Sequence, residues 1–301
     1  MKIYSSISAN KTKTWLIILL FVVFITTVAY VFSRALGYGL YLVVFALIFG
    51  GLTSIGSYYY SDKLVLATSG AKQIKKADNP ELFRTVENLC IGDGLQMPRI
   101  YMINDPSPNA FATGRDPKNS VICFTTGILD KLNKIELEGV IAHELSHVKN
   151  YDIRLMGVVA ILVGFIALLA NLFMQQLWFG GIGGRDRDDR GNNFQAVFLL
   201  IGIVLAILSP IAATLIQLAV SRKREFLADA SGALLTRYPE GLADALEKIS
   251  KDPVALKKAN NATAHLFIVN PFKGKSAKSM FSSLFDTHPP VEERIKALRE
   301  M

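Results

Sequence analysis

Long uncharged apolar runs alternate with polar segments along this chain of 301 residues. The runs cover residues 15–32, 37–60, 155–180 and 194–220. A helix needs about 20 residues to cross the hydrocarbon core of a bilayer, whereas a buried core helix has an apolar run of about 10–14. The pattern therefore predicts an α-helical membrane protein with four transmembrane helices. The first run is interpreted as a span and not as a cleaved signal peptide, because apolar sequence continues past Ala29.

The polar sequence falls into two blocks, residues 61–154 and 221–301, on either side of the second pair of spans. Together the blocks are long enough for one compact domain with a hydrophobic core. Neither block shows a pattern that suggests it folds alone. We therefore expect a discontinuous, mostly helical α+β domain, with residues 155–220 inserted as a transmembrane hairpin and residues 1–60 forming the N-terminal tail and first hairpin.

Lysine and arginine are distributed unevenly around the predicted spans. The N-terminal tail and the segment after span two carry several lysines, and the segment after span four carries Arg222, Lys223 and Arg224, whereas the loop between the first two spans has only Arg34. The loop between spans three and four has three arginines interleaved with three aspartates, which weakens the asymmetry. Cytoplasmic loops carry such an excess, so both termini and the polar domain are predicted to be cytoplasmic. The net charge of +8 arises largely at these membrane exits, which favours contact with lipid head groups and not with nucleic acid.

Periodicity and turn residues predict the elements of the polar blocks. The helices are expected at Pro80–Leu89, Asn133 to about Asn150, Glu225–Thr236, Gly241–Ile249 and Val291–Arg299, and the strands at Arg99–Ile103, Asn109–Thr113 and Ser120–Thr126. The helix after Asn133 has the most specific start signal, since Glu136 three residues later completes a capping box.

The sequence His143-Glu144-Leu145-Ser146-His147 lies on that helix. Residues four apart share one helix face, so both imidazoles can reach one metal ion. Glu144 follows His143 directly on the helix, so its carboxylate is placed where it can take a proton from a metal-bound water.

Two histidines do not complete such a site, because catalytic zinc usually has three protein ligands and one open position. The two other histidines are His265, in an apolar stretch that indicates a core residue, and His288. Glu225 and Asp229 are four apart on the helix after the last span and can face the motif helix. The alternative for this pair is a solvated helix face with ordinary ion pairs.

Four ordered motifs resemble the membrane-bound zinc peptidases of the HtpX type, in peptidase family M48, which are related to the CAAX prenyl peptidases of the Ste24 class. The motifs are residues 143–147, 221–229, 109–112 and 287–294. The resemblance implies that His143, His147 and Glu225 bind one Zn²⁺, and that Glu144 is the general base. It also implies that Asp229 orients one of the histidines.

The resemblance implies further roles outside the metal ligands. His288 and Arg294 are candidates for stabilising the oxyanion, although His288 is equally well interpreted as a turn residue before the last helix. The segment Asn109, Ala110, Phe111 and Ala112 is a candidate exposed edge strand that pairs with an extended substrate. An ordinary inner strand beside Ser120–Thr126 is the alternative.

The implied function is that of a zinc-dependent endopeptidase of the plasma (inner) membrane that removes misfolded or damaged membrane proteins. Its partners would be polypeptide substrates and the bilayer. One alternative is a prenyl-protein processing peptidase of the CAAX type, although those enzymes have more spans. A catalytically silent scaffold is expected to lack Glu144, which is present. A transporter is expected to have charged residues within its spans, and these spans have none.

Overall fold

A computed structural model describes residues 2–35, 40–162, 164, 202–203, 222–258, 263–272 and 289–301. Most of the predicted third and fourth spans lies outside the described residues, and so does His288.

Two long helices form the N-terminal part of the protein. Helix α1 is Lys2–Ala35 and helix α2 is Tyr41–Ser69, and both turn many large apolar side chains outward, among them Trp15, Leu20 and Phe45. Such exposure is characteristic of a surface that contacts lipid or protein and not water. Within the described ranges, Val43–Ser69 is long and apolar enough to cross a bilayer, and Thr12–Thr27 is a shorter apolar helical stretch. The total of four spans stays a prediction.

A four-stranded sheet follows, with the strand order β1-β2-β4-β3. The strands are β1 Lys72–Gln73, β2 Arg99–Ile103, β3 Ala110–Gly114 and β4 Ser120–Thr125. Strands β2 and β4 are parallel, and the other two pairs are antiparallel. The three predicted strands are confirmed to within one residue. The two-residue strand β1 was not predicted, because it is too short to show a period.

Seven further helices are described. They are α3 Pro80–Asp93, α4 Thr126–Lys131, α5 Lys134–Lys149, α6 (residues 152–162), α7 (residues 222–236), α8 Pro239–Lys251 and α9 Val291–Arg299. The predicted capping box is confirmed, because the Asn133 side chain accepts the Glu136 backbone N–H at 3.0 Å and the Glu136 carboxylate accepts the Asn133 backbone N–H at 2.9 Å. These two bonds satisfy backbone N–H groups that lack a partner within the helix, and α5 begins at the predicted position.

Helix α5 lies in the centre of the domain, and its residues 139–148 are all buried. The surrounding core combines side chains of both polar blocks, such as Val86 and Ile122 from the first and Leu246 and Leu298 from the second. The two blocks thus share one core, although the domain boundaries themselves stay a prediction.

Two glycines allow other helices to approach α5 closely. A Cβ on Gly139 of α5 would lie 2.7 Å from the backbone nitrogen of Leu242 in α8, and a Cβ on Gly232 of α7 would lie 3.0 Å from the backbone nitrogen of His143. The first distance is below 3.0 Å, which real Cβ atoms essentially never show, and the second is tighter than nine in ten real Cβ contacts. Gly232 therefore allows the backbone of α7 to lie against the turn of α5 that carries His143.

Helix α6 connects this domain with the N-terminal helices. Val158 and Leu162 of α6 pack in one buried cluster with Phe21 and Ile25 of α1 and Ala46 of α2. Since only residues 150 and 151 separate α5 from α6, the buried motif helix leads almost directly into the apolar part of the protein.

Candidate metal centre

Two helices bring the predicted metal ligands together. The Nε2 atoms of His143 and His147, one turn apart on α5, are separated by 3.2 Å. Glu225 of α7 places Oε2 3.6 Å from Nε2 of His143 and Oε1 3.4 Å from Nε2 of His147. All three side chains are buried. The predicted meeting of Glu225 with the histidine face of α5 is confirmed.

The separations of these atoms fit one tetrahedral ion. Zinc binds histidine nitrogen at about 2.0–2.1 Å and carboxylate oxygen at about 2.0–2.2 Å, so its ligand atoms lie about 3.3–3.5 Å apart in a tetrahedron. The three observed separations are 3.2, 3.4 and 3.6 Å. Two histidines and one glutamate leave a fourth position open, as catalytic zinc sites require.

Each imidazole is oriented by a carboxylate on its other nitrogen. Nδ1 of His143 lies 2.9 Å from Oδ1 of Asp229, and Nδ1 of His147 lies 3.1 Å from Oδ2 of Asp152. A proton on Nδ1 that is donated to a carboxylate leaves the Nε2 lone pair for the metal. Asp229 was expected on resemblance. Asp152 was missed, because an aspartate at the start of the next helix looks like an ordinary capping residue in the sequence.

Arg294 of α9 holds the first of these carboxylates. Its Nε and Nη2 donate to the two oxygens of Asp229 at 2.8 and 2.7 Å, and its Nη1 donates to the Ile268 carbonyl at 3.0 Å. The side chain is fully buried, and Nη1 also lies 3.3 Å from Glu225. Arg294 thus stabilises the metal cluster through Asp229, while its oxyanion role stays a prediction.

Six buried charged side chains surround the two histidines: Glu144, Asp152, Glu225, Asp229, Arg224 and Arg294. With both imidazoles neutral, as metal binding requires, four carboxylates against two guanidinium groups leave two uncompensated negative charges if Glu144 is ionised, and one if it is protonated. Uncompensated buried charge is costly, so the site is electrostatically suited to a divalent cation.

The pKa shifts follow the same charge distribution. Burial by itself would lower the pKa of His147, but the hydrogen bonds and charges of Asp152 and Glu225 raise it well above the usual value. Burial would raise the pKa of Asp229, but Arg294, with a smaller effect from His143, lowers it to about 2. Asp229 is therefore an ionised acceptor for His143 at neutral pH.

Glu144 is buried beside the cluster, with 1% of its surface exposed. Burial raises the pKa of its carboxyl group, and the nearby His143 and His147 oppose that increase. A buried carboxylate next to a cation site is suited to exchange a proton with a reacting water.

Strand β3 is the last strand in the sheet order and contacts α5. The Asn109 carbonyl accepts the Thr125 N–H at 3.0 Å, so Ala110 and Ala112 direct their backbone groups away from β4 in the alternating antiparallel ladder. The Ala110 carbonyl accepts the Ile268 N–H at 3.0 Å. Among the described strands β3 has the predicted edge position, but the predicted exposure is wrong, because all five residues of β3 are buried.

His265 does not join the metal cluster. It is buried, and its Nε2 lies 3.2 Å from the Met156 carbonyl oxygen. The interpretation of His265 as a hydrogen-bonded core residue is confirmed.

A helix that carries His-Glu-x-x-His, completed by a glutamate from a second helix, defines a metalloprotease site. Comparison with known proteins identifies the family. The sequence profile described as peptidase family M48 matches residues 76–301. The chain is 45% identical over 298 residues to a protein named Protease HtpX homolog from Dictyoglomus thermophilum, covering 99% of this chain and 94% of that protein.

A Protease HtpX homolog from Caldanaerobacter subterraneus subsp. tengcongensis is also 45% identical, over 299 residues, with 99% of this chain and 98% of that protein covered. The crystal structure of S. mikatae Ste24p has a similar fold, with a TM-score of 0.53, 17% identity, and 95% of this chain and 67% of that chain covered. The chain belongs to peptidase family M48 and is a metalloprotease of the HtpX type. The resemblance seen in the motifs is thereby confirmed.

The buried pair of Arg294 and Asp229 leads to a stability prediction. Arg294→Met leaves the Asp229 carboxylate buried without its bidentate partner, so the free energy of unfolding in detergent should fall by about 3–5 kcal/mol. Denaturant titration of the purified protein measures this change. The control is Arg299→Met, since Arg299 is on the same helix and its described ion pairs are exposed. This variant should have the same denaturation midpoint as the parent. Equal midpoints for Arg294→Met and the parent would contradict the assignment.

Proposed function

We propose that this metalloprotease is a zinc-dependent endopeptidase of the plasma membrane, and that it degrades misfolded or damaged membrane proteins as quality control. The observation that carries the proposal is the buried cluster of His143, His147 and Glu225 with Glu144 beside it. The chemistry of this donor set supports zinc, since imidazole and carboxylate ligands in tetrahedral arrangement are typical of its catalytic sites.

The residues have separate tasks in this proposal. Zinc, when bound, polarises a peptide carbonyl and makes water a stronger acid. His143, His147 and Glu225 would hold the ion, while Asp229 and Asp152 keep the imidazoles in the binding tautomer. Glu144 accepts the proton of the attacking water and passes it to the departing amine.

We assign substrate binding to the outer edge of β3, at Asn109, Ala110, Phe111 and Ala112. The Asn109 side-chain amide donates to the Val269 carbonyl at 3.0 Å, and the Ile268 backbone N–H donates to the Ala110 carbonyl at 3.0 Å. The segment 268–269 therefore already lies along the first part of this edge. Ala112 follows, and among the described residues no hydrogen bond to its outward backbone groups is present. An extended peptide would pair there by β-strand addition after displacing the residues that now cover the strand.

The position of the cluster near the apolar helices supports membrane proteins as substrates. His147 precedes the predicted third span, which begins at residue 155, by about two helical turns, and Glu225 follows the predicted fourth span closely. With a rise of about 1.5 Å per residue, the metal would lie roughly 10–15 Å from the bilayer surface. Unfolded segments that leave the membrane would meet the site directly.

The fold shared with Ste24p keeps prenyl-protein processing as a second candidate. The catalytic residues of the two activities would be the same, so only substrate preference separates them. An unfolded membrane protein and a prenylated CAAX peptide therefore belong in the same assay.

Glu144→Gln should lower kcat on an unfolded membrane protein in detergent by about 10²–10⁴-fold, because the amide cannot accept the proton. A chelator should abolish cleavage by the parent, and added zinc should restore it. Product formation on gels or by mass spectrometry measures both effects.

Glu138→Gln is the matched control, since Glu138 is on the same helix but only half-buried, and it should cleave like the parent. Cleavage that survives Glu144→Gln or the chelator would overturn the zinc mechanism. Faster cleavage of the prenylated peptide than of the unfolded protein would instead favour the second candidate.

Ala112→Pro tests the substrate edge. Proline removes the outward N–H but leaves the ladder to β4 intact, so kcat/KM should fall about 2–10-fold, the value of one backbone hydrogen bond. Ala112→Gly keeps the N–H and serves as the control, and melting temperatures of both variants report folding. Unchanged kcat/KM in a folded Ala112→Pro protein would exclude pairing at this residue.

Cysteine labelling tests the membrane topology. Both native cysteines, Cys90 and Cys123, are buried, so an added cysteine can be labelled selectively. In intact cells an impermeant maleimide should label Asn192→Cys, in the predicted external loop, and should label Met301→Cys only after permeabilisation. Labelling of Met301→Cys in intact cells would place the C-terminus outside and refute the cytoplasmic assignment.

A further inference from the structure

Arg224, the residue before the ligand Glu225, is a buried cation that none of the functions above uses. Only 7% of its surface is exposed. Its Nε lies 3.4 Å from Oδ1 of Asp152, and within the described part of the chain its Nη1 and Nη2 atoms have no hydrogen-bond partner. A guanidinium buried with incomplete hydrogen bonding is costly, and an apolar side chain is often more stable in such a place. Stability alone therefore does not account for Arg224.

The contacts of Arg224 repeat those of Arg294 on the opposite side of the metal cluster. On one side Arg294 binds Asp229, which binds Nδ1 of His143. On the other side Arg224 contacts Asp152, which binds Nδ1 of His147 at 3.1 Å. Each of the two imidazoles thus contacts an aspartate, and each aspartate in turn contacts a buried arginine.

The two arginines differ in how firmly they hold their aspartates. Arg294 makes two hydrogen bonds of 2.7 and 2.8 Å to Asp229, whereas the Arg224 contact with Asp152 is 3.4 Å long. The helices involved also differ. Asp152 begins α6 and Arg224 lies near the start of α7 as described, so this pair joins the two ends of the inserted segment beside the metal ligands.

We propose that Arg224 is a positioning residue for metal binding: through Asp152 it holds the imidazole of His147 in its ligating orientation. This inference rests on the proposed zinc site. It makes the affinity of the site depend on the relative position of the first turns of α6 and α7, and not on α5 alone. Arg224 is not expected to contact the metal or the substrate.

The test measures zinc affinity by chelator competition in the full-length protein in detergent, with Glu144→Gln as the parent to prevent self-cleavage. Arg224→Gln and Asp152→Asn should each weaken zinc binding about 10–100-fold, as is usual when a group that orients a metal ligand is lost. The double variant should lose no more than the stronger single variant, because both act through one contact. Arg224→Lys keeps the charge and should recover part of the affinity.

Arg222→Gln and Lys223→Gln are matched controls, because these basic neighbours are exposed on the same helix, and both should bind zinc within twofold of the parent. Cobalt substitution adds a spectroscopic readout, since a displaced His147 should shift the visible absorption bands of Co²⁺ in Arg224→Gln but not in the controls. A purely structural role would lower the melting temperature and leave zinc affinity and the cobalt spectrum unchanged.

Zinc affinity of Arg224→Gln within twofold of the parent, or fully additive losses in the double variant, would overturn the inference. If Arg224→Gln does not fold, the zinc affinities of Arg224→Lys and Asp152→Asn are compared with that of the parent instead. Affinities within twofold of the parent would then overturn the inference. Failure of the proposed function is distinguishable, because it would appear as absent cleavage by the protein with native Glu144 while zinc binding remained measurable.

Discussion

The burial of α5 is the constraint on which the rest of the domain depends. Residues 139–148 are all inside the protein, and four of them are polar: His143, Glu144, Ser146 and His147. A buried polar side chain is tolerated only when it has partners. Other elements must therefore deliver carboxylates and guanidinium groups to one small region, and the packing of α6, α7 and α9 around α5 satisfies that requirement.

The resulting cluster connects elements that are distant along the chain. Asp229 reaches α5 from the helix that follows the inserted segment, and Arg294 reaches Asp229 from the last helix, 65 residues further on. Interactions of this type are strong only when desolvated and geometrically complete. The metal centre and the folding of the C-terminal part of the domain are consequently interdependent, since loss of one member leaves the others buried without compensation.

The apolar helices and the catalytic domain meet without an intervening linker. Helix α6 contributes Asp152 at one end to the metal cluster, and Val158 and Leu162 further along to the cluster shared with α1 and α2. Helix α6 therefore contacts the metal cluster at its start and the apolar helices further along. This continuity supports the proposal that the substrates are membrane proteins.

Local features of the sequence determined much of this protein. The capping box at Asn133 and Glu136, the four-residue spacing of His143 and His147, the strand Arg99–Ile103 and the helix Val291–Arg299 all depend on neighbours within a few residues, so they were predictable. Glu225 was predicted as the third ligand because its four-residue spacing from Asp229 and the family resemblance both indicated it. Only the tertiary structure decided that Asp152 contacts His147 and that Arg224 contacts Asp152. It also decided that Arg294 binds Asp229 and that β3 is buried at the edge of the described sheet. Those outcomes depend on the distances at which separate helices pack, and no periodicity in a single chain encodes such distances.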